Sequence, residues 1–208
     1  MLFDTHAHYD DERFDPDRHA LLTSLPEEGV DLILNPGCDG ETSAKAVEYA
    51  DTYSHVYAAV GWHPHEAENY NEESGKLIKQ WCENPKVKAI GEIGLDYYYD
   101  FSPRERQREV FRAQMDLACE LKMPVIIHDR DAHGECMEII REYSDVKGVF
   151  HCYSGSAEMA KQILDMGWYL SFTGAITFKN ARKALETIEI CPMDRIMIET
   201  DSPYLAPV

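Results

Sequence analysis

Leu2-Phe3-Asp4-Thr5-His6-Ala7-His8 opens the chain with an apolar run that ends in two histidines one residue apart. On an extended strand, residues i and i+2 face the same way, so His6 and His8 point to one side. Two neutral imidazoles converging at a strand end can share a metal ion. Taken alone, His-x-His is equally the pattern of two polar residues in a solvated loop. It gains weight because later segments repeat the design, an apolar run closing on one potential ligand.

Working outward, Val30–Asn35, Val56–Val60, Val87–Ile90, Pro124–Ile127, Gly148–Phe150, Trp168–Phe172 and Arg195–Glu199 read as further short strands. Helical segments are expected at Asp17–Leu25, Thr42–Tyr53, Ser74–Glu83, Ser102–Leu121, Ala132–Tyr143, Ser156–Met166 and Asn180–Ile188. In the longest of these, Ser102 is expected as the N-cap with Pro103 at the first helical position. Eight strands, the first seven each followed by a helix, imply a parallel sheet closed as an α/β, TIM-like (β/α)8 barrel in one domain, residues 1–208. A doubly wound open sheet is the alternative. It would use fewer strands and usually a glycine-rich phosphate loop after the first, which is absent here. Such barrels typically run to about 250 residues and end on an eighth helix. This chain stops at Val208, so it is expected to lack the C-terminal helix region, with a gap in the helical ring or a partner chain filling it.

His6, His8, Glu92, His128, His151 and Asp201 each fall just past a predicted strand, at what a barrel makes its active rim. Any one of them could be an ordinary hydrogen-bonded rim residue. Together, four imidazoles and two carboxylates exceed one tetrahedral zinc and suit two divalent ions about 3.5–4 Å apart with a bridging carboxylate. Such ligands accept zinc, magnesium or manganese without distinction.

Composition narrows the function. The formal net charge of −18 would repel nucleic acid at long range, so a nucleic-acid role must rest on a local site. No apolar run reaches the roughly 20 residues of a membrane helix, and no signal-peptide pattern opens the chain. Six scattered cysteines without a Cys-x-x-Cys pair suit free thiols in a reducing cytoplasm.

The motifs resemble those of the TatD family of metal-dependent deoxyribonucleases, within the amidohydrolase-like metal barrels. The likeness rests on Asp4-Thr5-His6-Ala7-His8, Gly61-Trp62-His63-Pro64-His65 and Gly91-Glu92-Ile93-Gly94-Leu95-Asp96-Tyr97. It continues through Ile127-His128, His151-Cys152-Tyr153-Ser154-Gly155, Thr177-Phe178-Lys179-Asn180 and Glu199-Thr200-Asp201-Ser202-Pro203-Tyr204-Leu205. The resemblance implies metal binding by His6, His8, Glu92, His128, His151 and Asp201, with Glu92 as the bridge. It implies two divalent cations per chain and DNA, as short or single-stranded ends, as substrate.

In that scheme Asp201 orients or deprotonates the attacking water, and His63 contacts the substrate phosphate or assists the leaving oxygen. Asp96 is expected to support a ligand histidine. Arg130 is either a phosphate contact or half of an ion pair with Asp129 or Asp131. Tyr97-Tyr98-Tyr99 and Phe101 either stack on exposed bases or pack the loop onto the barrel, and Trp62 either shapes the pocket mouth or caps the core. His19, His55, His65 and His133 are expected to be ordinary surface or helix residues. Two other functions fit parts of the pattern. A small-molecule hydrolase would cleave a lactone, amide or phosphotriester with the same metals, and a metal-stabilised scaffold would have no turnover. The complete ligand set with an open position argues against the scaffold.

Overall fold

Residues 1–208 are described by a computed structural model. The eight strands are β1 (Leu2–Asp4), β2 (Val30–Pro36), β3 (Val56–Val60), β4 (Val87–Asp96), β5 (Val125–Arg130), β6 (Gly148–Phe150), β7 (Tyr169–Phe172) and β8 (Ile196–Ile198). They form one all-parallel sheet in sequential order. The first and last strands approach closure through Thr5 N–H donating to the Ile198 carbonyl at 3.2 Å, and Asp201 N–H to that of His6 at 2.9 Å. The chain is a nearly closed TIM-like barrel.

Seven helices cover it: α1 (Arg18–Ser24), α2 (Gly40–Thr52), α3 (Glu72–Trp81), α4 (Arg104–Leu121), α5 (His133–Arg141), α6 (Ala157–Asp165) and α7 (Arg182–Ile190). No helix follows β8 within residues 199–208, and Ile198 and Met193 on that flank are exposed. Strand alternation divides the core. Leu34, Ala59, Ala89, Ile126 and Val149, one from each of β2 to β6, fill the barrel floor. Their outward-facing neighbours, among them Ile90, Ile93, Ile127 and Phe150, meet Phe111 and Met115 of α4 and Trp168 before β7. Trp62 joins this outer core, stacked near Trp81 at 6.4 Å between ring centroids, and so caps the core rather than the pocket.

Two expectations need correction. The strand expected to stop at Ile90 continues to Asp96, and the next runs on through His128 to Arg130. Glu92 and His128 therefore lie within strands, not beyond them. The Gly-Glu-Ile-Gly stretch reads as a turn in sequence, yet its glycines are what hold β4 against β5. A Cβ on Gly94, at φ 143°, would fall 2.0 Å from the His128 carbonyl oxygen. Ser102 is also not the cap of α4, where Pro103 holds that position. Its hydroxyl instead donates to the His65 carbonyl at 2.8 Å and ties the loop after β3 to the loop after β4.

Candidate metal centre

Glu92 lies at the middle of the rim, 3% exposed, and each of its carboxylate oxygens faces a different group of histidines. Oε2 is 3.3 Å from His6 Nε2 and 3.6 Å from His8 Nε2. These two nitrogens are 3.1 Å apart, and Asp201 Oδ1 stands 3.7 and 3.6 Å from them. Four ligands about 2.1 Å from a tetrahedral ion lie about 3.4 Å from one another. The donor spacing of His6, His8, Glu92 and Asp201 fits one such ion.

Oε1 faces the other way. It is 2.7 Å from His128 Nδ1, 2.7 Å from His151 Nε2 and 3.6 Å from His63 Nε2. The two imidazole nitrogens are 3.4 Å apart. The two 2.7 Å separations are hydrogen-bond spacings, shorter than those between ligands of a tetrahedral ion. The same donors, spread by about 0.7 Å, would hold another ion, with Glu92 common to both. Three overlapping groups of potential ligands converge here: His6, His8 and Glu92; His63, Glu92 and His128; and His6, His151 and Glu199.

Local chain geometry brings these groups together. After the three-residue β1, the extended chain points His6 and His8 the same way, and the His6 ring stacks on His151 at 4.0 Å. Asp201 sits at φ 54°, a left-handed conformation that Asp tolerates better than most side chains, and its carbonyl accepts from Tyr204 N–H at 2.8 Å. His63 Nδ1 accepts the His65 N–H at 3.1 Å, which leaves the ring proton on Nε2, facing the cleft.

Carboxylates behind the cluster set the rings. His128 Nε2 meets Asp96 Oδ2 at 3.0 Å, as expected of Asp96, and His65 Nε2 meets the same oxygen at 2.9 Å. With that nitrogen engaged, His128 offers Nδ1 to the centre. Asp96 is itself fixed by accepting N–H bonds from Tyr98 and Tyr99 at 3.0 and 2.8 Å. Behind His151 lies Glu199, 3.4 Å from Nδ1, which accepts from Cys152 N–H and Ser171 Oγ.

Charge balance follows from this packing. Burial alone would raise the Glu92 carboxyl, but His151, His63, His6 and the His128 hydrogen bond hold it well below the usual carboxylate range. Burial opposes charging His151 and His128. The carboxylates nonetheless lift both, His151 through Glu92 and Glu199 and His128 through Asp96 and Glu92. His63 goes the other way: buried and close to His128, it is pushed well below its ordinary value and stays neutral. A cation entering between these rings and Glu92 displaces protons that the carboxylates otherwise hold there.

The centre opens into a cleft of about 420 Å³ lined by His8, His63, His65, Glu92, His128, His151 and Asp201, with Asp10, Cys38 and Tyr204 among the rest. All seven residues singled out in the sequence for metal binding or catalysis meet within this centre. Two others were missed. His65, expected to be an ordinary residue, is kept at the rim by the 3-10 helix Pro64–Asn69 that begins just before it. Glu199 was read as the last residue of the final strand, although its place two residues before Asp201 in an acidic strand ending was a usable signal. Of the remaining histidines, His19 bonds Tyr53 and His133 bonds Asp129, both away from the centre.

A family profile described as TatD related DNase matches residues 3–208. The chain is 46% identical over 209 residues to the uncharacterized metal-dependent hydrolase YabD of Bacillus subtilis, covering 100% of this chain and 82% of that protein. It is 35% identical over 211 residues to the 3'-5' ssDNA/RNA exonuclease TatD of Cronobacter turicensis, covering 99% and 80%. Among solved structures, the TatD homolog YJJV of Escherichia coli superposes with a TM-score of 0.92 at 32% identity, covering 100% of this chain and 81% of that one.

Proposed function

The chain belongs to the TatD family, a metal-dependent hydrolase of that kind, and from that premise we propose that it cleaves phosphodiester bonds at single-stranded nucleic-acid ends with two divalent cations. The observation that carries this reading is the division of Glu92, whose Oε2 faces His6 and His8 while Oε1 faces His128 and His151. A carboxylate so placed would hold an ion on either side. His6, His8 and Asp201 would complete one ligand set, and His128 and His151 the other. Bound there, the cations supply Lewis acidity to a phosphoryl oxygen and lower the pKa of a water.

The chain's own groups do the remaining work. Asp201, partly exposed at the cleft wall, orients the attacking water and accepts its proton. His63, neutral and with its proton on Nε2, donates to a phosphoryl oxygen, where charge builds as the bond to phosphorus forms. Asp96 holds the His128 ring from behind, which keeps its donor atom aimed at the centre, and the Glu199 carboxylate stands 3.4 Å behind His151 and favours charge on that ring.

The net charge of −18 favours a small uncharged ester over a polyanion, and this keeps a lactone, amide or phosphotriester hydrolase as the second reading. One assay separates them. The purified protein, loaded in turn with zinc, magnesium or manganese, is given end-labelled single-stranded oligonucleotides beside a lactone, amide and phosphotriester panel. Stepwise shortening of the oligonucleotide, stopped by chelator, is the expected result. Turnover confined to the small esters would replace the nuclease reading.

A further inference from the structure

The aromatic run after β4 divides in the structure. Tyr97 packs against the core, its hydroxyl donating to Glu135 at 2.9 Å. Tyr98, Tyr99 and Phe101 instead face solvent at 59%, 47% and 65% exposure. They are not scattered. The Tyr99 and Phe101 rings stack at 5.3 Å, and Tyr98 meets Tyr99 edge-on at 4.9 Å. The group is continuous with the metal centre through His65, which lines the cleft. His65 packs its ring edge against Phe101 at 4.8 Å and Tyr99 at 5.5 Å while bonding Asp96.

Arg130, at the end of the adjacent β5, completes the patch. Its guanidinium lies 4.2 Å above the Tyr98 ring and 4.8 Å from that of Tyr99. Neither expected partner, Asp129 or Asp131, pairs with it: Asp129 engages His133, and Asp131 forms no ion pair. In a chain with 38 acidic residues against 20 basic ones, an arginine stacked on tyrosines without a carboxylate is a cation with its donors free. Exposed rings beside a free guanidinium match what an unpaired nucleotide presents, a flat base and a phosphate.

From this juxtaposition we propose that Tyr98, Tyr99, Phe101 and Arg130 form a stacking platform for the unpaired bases of a nucleic-acid strand whose scissile phosphodiester lies at the metal centre. The proposal rests on the nuclease reading for the strand's orientation and goes beyond it by assigning the site that holds the bases. Stacking uses the ring faces of bases, so the platform takes single strands of either sugar type without sequence preference. Paired bases keep their faces to themselves, so a duplex loses this contact.

The test is a binding cycle in chelator, where no strand is cut. Fluorescence anisotropy measures the Kd of a labelled single-stranded oligonucleotide, and of a strand of equal length with abasic residues, for the native chain and Tyr99→Leu/Phe101→Leu. Both side chains are exposed, and a thermal melt checks that the variant keeps its fold. The double substitution should raise the Kd of the base-bearing strand about tenfold or more and that of the abasic strand less than about twofold. Arg130→Gln should weaken both strands alike, as loss of a phosphate contact does. Equal losses on both strands with the double variant, or no loss at all, would overturn the platform. So would unchanged Kd values with an altered sedimentation coefficient, which would make the patch a contact between copies of the chain. Because binding is read without turnover, a chain that stacks bases but cuts nothing would keep the platform and sink the nuclease reading.

Discussion

Asp96 shows how much of this site is decided by groups that touch no substrate. One of its oxygens takes both His65 and His128 while the other takes two backbone N–H groups, so the carboxylate is pinned and pins the His128 ring in turn. Asp96→Asn keeps the shape but loses the charge that holds the His128 proton on Nε2. It should weaken binding at the ion shared by Glu92, His128 and His151 about 10- to 100-fold, and leave the ion held by His6 and His8 much less affected. Stepwise metal titration by calorimetry separates the two events; equal weakening of both would mean that Asp96 acts on the whole rim. At this scale the clustering of these residues was legible in sequence because each closes an apolar run or stands in a tight motif. His65 was not readable, since its place depends on a 3-10 turn that keeps it at the rim. Glu199 escaped because a carboxylate buried below the centre looks, in sequence, like the polar end of a strand.

Among the elements, β4 matters most. Its residues from Gly91 to Asp96 carry Glu92 and the carboxylate behind His128, and the register against β5 slips between Ile90 and Ile93. Small residues permit the close approach that sets Glu92 Oε1 2.7 Å from His128 Nδ1. Gly94→Ala should therefore cost about 3 kcal/mol or more, since its Cβ would meet backbone in a conformation that suits glycine. Gly134→Ala, in α5 with open space around it, should instead gain about 0.5–1 kcal/mol. Paired denaturant melts check both signs, and a neutral Gly94→Ala would show that β4 and β5 can separate without loss. Strand and helix order was legible because periodicity survives along whole segments. The ends were less so: β4 was cut short at Ile90 because a Gly-Glu pair reads as a stop, and Ser102 reads as a cap although its hydroxyl is engaged by His65. Neither long-range pairing has a local signature.

At the scale of the molecule, a strongly acidic surface surrounds a centre that would carry roughly four positive charges once two divalent ions are bound. Binding of a strand then depends on few phosphate contacts, at the ions, His63 and Arg130. The KM for a short single strand should change by less than about tenfold between 50 and 200 mM salt. Proteins gripping 6–10 phosphates lose roughly 10³–10⁵ in affinity over the same range. A loss of that larger size, read from initial rates across a salt series, would reveal a basic track that this surface does not present. The barrel brings His6 and His8 after β1, Glu92 of β4, His128 of β5, His151 after β6 and Asp201 after β8 to one rim. That claim is tested most directly by measuring bound metal per chain against phosphodiesterase rate as stripped protein is reloaded, for the native chain and Glu92→Gln. The native chain should take up two ions and reach full rate only at the second, and Glu92→Gln should retain both ions weakly and lose turnover. Full activity at one ion or none, or a Glu92→Gln chain with two tightly held ions and normal turnover, would contradict it.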